Sequence, residues 1–82
     1  MNDKELGFPA YRKFSGINVW FKILNEMAFI EIKQIGSRYL LAEINAVQYP
    51  EMVLIKDMLA CHENRWEIIG GNEFETVLKK VS

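Results

Sequence analysis

One cysteine, one histidine and two prolines stand among 82 residues, and each scarcity excludes something. The lone Cys61 has no intrachain disulfide partner, whereas small secreted domains usually rely on several bridges, so a reducing, cytoplasmic location is expected. Cys61 and His62 together fall short of the three or four ligands of a zinc site, so no metal is expected, nor any other cofactor. Cys61 is expected to fill apolar space rather than act as a nucleophile, because neighbouring positions on a helix point in different directions. Long apolar runs are missing as well. Met27 to Ile30 and Met52 to Ile55 span four residues each, against the ~20 that cross a bilayer, and no membrane partner is expected. No excess of either charge sign exists: ten Lys and Arg meet eleven Asp and Glu, a formal net charge of -1, which supplies no strong field toward nucleic acid or anionic lipid.

Catalytic patterns are equally thin. Gly70-Gly71 precedes a helical pattern but lacks the further glycines and partner residues of a phosphate loop or dinucleotide fingerprint. Glu73 and Glu75 occupy the positive end of that helix and would repel a phosphate. The eleven carboxylates form no pattern that singles out an acid–base pair, so the chain is expected to be non-catalytic.

What is present is a globular composition, 50% hydrophobic and 12% aromatic, in a length that supports one modest core. The mostly polar residues 1–7 are expected as a frayed leader and 8–82 as a single domain. Tyr11 to Phe14 and Asn18 to Ile23 read as strands around the break Ser15-Gly16-Ile17. Phe29 to Ile35 alternates, and Gly36-Ser37 has the form of a two-residue hairpin loop that leads into a return strand from Arg38 to Ile44. That loop pairs Ile35 with Arg38, Gln34 with Tyr39 and Ile32 with Leu41, which sets Ile30, Ile32, Tyr39 and Leu41 on one face, the expected core. Phe29, Ile35, Leu40 and Ile44 share the other face, more apolar than a wet surface needs, so it is either covered in part or a contact surface.

Pro50 suits a first helical turn, and Met52, Leu54, Ile55, Met58 and Leu59 then fall on one arc of a helix ending near Ala60 or Cys61. Arg65 to Ile69 reads as a short strand. A last helix has Asn72 as its expected cap, Glu75 in the capping-box position, and Phe74, Val77, Leu78 and Val81 as its apolar stripe. The order β-β-β-β-α-β-α indicates an α+β domain, a mainly antiparallel sheet of three to five strands with both helices on one face.

Charge is unevenly spread: residues 1–42 hold six basic and four acidic side chains, while residues 43–82 hold four basic and seven acidic. The expected function is protein–protein interaction, with another protein or with a second copy in a homodimer. Its candidate residues are Trp20, Lys22, Arg38, Tyr39 and Trp66, several of types enriched at interfaces, with Trp20 expected to point outward opposite Val19 and Phe21. On that reading Trp20→Ala weakens a contact and leaves folding nearly intact. The alternative is single-stranded nucleic-acid binding, in which Tyr11 and Trp20 stack on bases beside the cations Arg12, Lys13 and Lys22. That alternative requires Arg12, Lys13, Lys22, Lys33 and Arg38 to share one patch.

Overall fold

The computed structural model describes residues 8–60 and 65–81, so the expected leader lies outside the described residues. Five strands form one antiparallel sheet: β1 (Ala10–Phe14), β2 (Val19–Asn25), β3 (Ala28–Ile35), β4 (Arg38–Asn45) and β5 (Trp66–Ile68). Helix α1 (Tyr49–Ala60) joins β4 to β5, and α2 (Gly71–Leu78) follows β5. The spatial order is β4-β3-β2-β1-β5. The first four strands run as a meander, and α1 then carries the chain back so that β5 pairs beside β1.

The β3–β4 hairpin follows directly from its loop. Ile35 faces Arg38, Gln34 faces Tyr39 and Ile32 faces Leu41, the register expected from Gly36-Ser37. Gly36 has φ 64°, a backbone angle that a side chain would strain and that tight hairpin loops require. The α+β class and the antiparallel sheet are as the sequence indicates.

The helices, however, lie on opposite faces rather than on one. Ile55 and Met58 of α1 pack with Val19, Phe21, Ile23, Phe29 and Trp66, and Met52, Leu54 and Leu59 flank them. Phe74 and Val77 of α2 pack instead with Trp20 and Ile32, bordered by Tyr11, Ile30 and Tyr39. The physical reason is β2. Side chains alternate across a strand, so Val19, Phe21 and Ile23 face one side and Trp20 the other, and all four are buried. A middle strand apolar on both faces needs cover on both, as strands of doubly covered sheets do.

Trp20 is therefore core, 7% exposed, and its expected outward orientation is corrected. Its indole Nε1 donates to Glu73 Oε2 at 3.3 Å, which supplies the polar partner that a buried tryptophan needs. The start of α2 differs too: Gly70 is the cap residue, with no side-chain cap bond, and Asn72 lies inside the helix with its carbonyl accepting from Thr76 Oγ1 at 2.9 Å. Gly71 sits so close to the Tyr11 ring that an added Cβ would lie 3.2 Å from its Cε2 and Cζ atoms. This close approach seats the first turn of α2 on the sheet.

Trp20→Ala is expected to cost about 3–5 kcal/mol of unfolding free energy, in the range for a buried tryptophan truncated to alanine. Urea unfolding followed by far-ultraviolet circular dichroism measures this; a loss below about 1 kcal/mol would return Trp20 to the surface.

Candidate functional site

The side of the sheet that carries α1 is only partly covered. Beyond the helix, a groove of ≈ 640 Å³ opens over the sheet. Val19, Phe21 and Phe29 form its floor, Leu54 and Glu51 of α1 form one wall, and Phe14 and Trp66 line it on the side of β1 and β5. Ile17 and Ile35 stand at its mouth, 52% and 56% exposed. Glu31 and Lys33, on the same sheet face, add two opposite charges to the lining.

The Trp66 side of the groove is fixed by aromatic packing and one carboxylate. The Trp66 ring meets Phe21 edge-on at 5.3 Å between centroids and Phe14 at 4.7 Å. Trp66 Nε1 donates to Asp57 Oδ2 at 3.0 Å, and Arg65 donates to the same oxygen at 3.1 Å. Asp57 therefore ties α1 to the start of β5. Arg12 adds a second tie, donating from Nε to the Met58 carbonyl at 2.8 Å, near the negative end of α1.

A second surface lies at the sheet edge. β4 pairs with β3 along its whole length, and among the described residues nothing pairs with its other side. Leu40 and Leu41 project from opposite faces of this strand, 45% and 38% exposed. On the α1 side Leu40 adjoins Ile35, so apolar surface runs from the groove mouth to the edge.

Against these surfaces the residues named from the sequence divide. Trp66 contributes to the groove, while Arg38 lies exposed at the start of β4. Trp20 and Tyr39 come together on the α2 side, ring centroids 6.3 Å apart, but there they belong to the core and its border. Lys22 is half-buried on that side, its ammonium 6.0 Å from the Tyr11 ring. Ile17, Ile35, Leu40 and Leu41 were not among the named interaction residues; Leu41, expected in the core, is instead exposed, because it lies on the edge strand beyond the cluster that α2 covers. The signal for Ile35 and Leu40 was the surplus apolar face of the hairpin; Ile17 lies in a turn and carries no periodic signal.

The nucleic-acid alternative required one shared patch. Strand alternation instead places Arg12, Lys33 and Arg38 on the α1 side and Lys13 and Lys22 on the α2 side. Arg12 bonds to the Met58 and Tyr11 carbonyls, and Lys13 bonds to those of Phe14 and Ile17. The Trp20 ring is buried, and the Tyr11 ring packs on Phe74 at 5.8 Å, so neither is a free stacking platform. The described residues contain no group of three or more His, Cys, Asp or Glu suited to a metal ion; Cys61 and His62 lie outside them. None of their helices is long and apolar enough to cross a membrane.

Compared with known proteins, the chain matches no family model, no curated protein and no solved structure.

Asp57→Ala leaves the Trp66 indole without its acceptor and is expected to cost about 1–3 kcal/mol, almost all from that part-buried bond. The exposed Arg65 pairing adds little. Urea titration gives the loss, and a red-shifted tryptophan emission in the native baseline reports that the ring has loosened; unchanged stability and emission would show that Asp57 holds neither.

Proposed function

We propose that this chain is a small non-catalytic protein–protein interaction domain of the cytoplasm, and that an apolar segment of a partner protein seats in the groove between the sheet and α1. The groove carries this reading. Its ≈ 640 Å³ fall within the roughly 300–1,000 Å³ typical of binding sites, and its lining is mainly aromatic and aliphatic. A protein segment fits better than a small molecule for two reasons. The polar groups at the lining, half-buried Glu31, Gln34 and Glu51 and exposed Lys33, come from one strand and a helix around an open groove rather than from an enclosed recess. The apolar surface also continues past the mouth through Ile35 to Leu40, more than a small ligand would cover. An apolar centre edged by charged side chains is the anatomy of a protein contact. The cytoplasmic assignment rests on the single cysteine.

Photocrosslinking in the source cells tests the proposal. A benzophenone amino acid in place of Ile35 is expected to yield one discrete adduct with a separate protein, and the same group in place of Thr76, exposed on α2, is expected to yield none. Adding Ile17→Asp at the groove mouth is expected to abolish the adduct. Labelling that is equal from both positions, indifferent to Ile17→Asp, or confined to two copies of this chain would reject a partner in the groove.

A further inference from the structure

We infer that β4 pairs with β4 of a second copy, joining two five-stranded sheets into one of ten strands. The surface involved is the sheet edge, and the inference does not depend on the groove.

Two properties of the strand leave this edge ready to pair, and a third points to a second copy rather than to a foreign strand. First, β4 is a long and regular edge whose only charges are Arg38 and Glu43. It runs for eight residues, its ladder with β3 shows no register shift, and it contains neither proline nor lysine, the usual devices that keep edges apart. The opposite edge, β5, is three residues long, and shortness is itself a protection. Second, its free backbone groups are well placed. Gln34 donates its N–H to Asn18 on the β2 side, so alternation turns the N–H groups of Lys33 and Ile35 toward β4. In a hairpin closed by Ile35 and Arg38, the N–H and C=O groups of Tyr39, Leu41 and Glu43 then point away from the sheet.

Third, the strand complements itself. About a two-fold axis normal to the sheet, two copies run antiparallel with matching faces. In the register centred on Leu41, Tyr39 of one copy faces Glu43 of the other, Leu41 faces Leu41, and Leu40 faces Ala42. The three outward-facing residues all enter hydrogen-bonded pairs, and the exposed leucines of both faces leave water. On the α2 side Glu43 of one copy meets Tyr39 of the other, over whose ring the Lys80 ammonium lies at 5.8 Å, so opposite charges come together there. A foreign strand would have to bring this pattern; a second copy already has it. The joined sheet would present both grooves on the same side.

Sedimentation equilibrium of the full chain, with amide hydrogen exchange, tests the inference. The expected result is a species of twice 9.6 kDa at high micromolar concentration, with slowed exchange at Tyr39, Leu41 and Glu43. Leu41→Lys sets two ammonium groups against each other at the axis and is expected to weaken the dimer by roughly a hundredfold or more. Glu43→Pro removes one outward N–H while sparing the bonds to β3, so it gives a second monomeric variant should Leu41→Lys fail to fold. A single-chain mass at every concentration overturns the inference, as does a dimer that survives both substitutions. Protection of β4 that appears only on addition of a different protein overturns it in favour of a foreign strand. Crosslinking from Ile35 repeated in the monomeric variant keeps the groove's outcome separate from that of the edge.

Discussion

The constraint on which this fold rests is that β2 carries buried apolar side chains on both of its faces. It is the middle strand of five, and Val19, Phe21 and Ile23 on one side and Trp20 on the other are all buried. Each large apolar side chain withdrawn from water contributes about 1.5–3 kcal/mol, so leaving either face open would forfeit several kcal/mol. That requirement dictates the three layers, with α1 on one side and α2 on the other. At eight residues α2 is too short to persist alone, so its helicity and its burial of Phe74 and Val77 are one event.

The elements with a strict local signal were legible in the chain. Gly36-Ser37 set the β3–β4 register to the residue, and the arc from Met52 to Leu59 located α1 and its inward side. The surplus of apolar residues on the Phe29, Ile35, Leu40 and Ile44 face also had its meaning: α1 covers the first and last of these, and the middle two border the groove and the edge. What was not legible depended on distant partners. Alternation separates Trp20 from Val19 and Phe21 but cannot say that a helix fifty residues later will cover it. The cap at Asn72 failed for a related reason, because the approach of Gly71 to Tyr11 fixes where α2 begins. The groove was out of reach for the same cause, since Leu54, Trp66 and Phe21 meet only in the folded chain.

The positive charges show how much of a small domain's polar inventory goes to internal duty. Arg12 binds carbonyls of α1 and β1, Lys13 binds the β1–β2 turn, and Lys22 lies 6.0 Å from the Tyr11 ring at the border of the second core. Counted along the chain these residues resemble a basic half. In space they are divided between two faces and largely engaged, leaving apolar surface as the more distinctive outward feature.

The arrangement of β5 carries a consequence in time. The pairings of β1 through β4 close over short turns, whereas β1 meets β5 only after the intervening meander and α1 have been made, with Arg12 opposite Ile68. Closing a long loop costs more chain entropy than closing a tight turn, and non-local pairings are slow to form. The four-stranded meander is thus the natural early assembly, and β5 arrives with the Trp66 ring as a late addition. Because that ring lines the groove, the recess takes its shape only as folding finishes, and a partner that recognised it would be reading a finished fold.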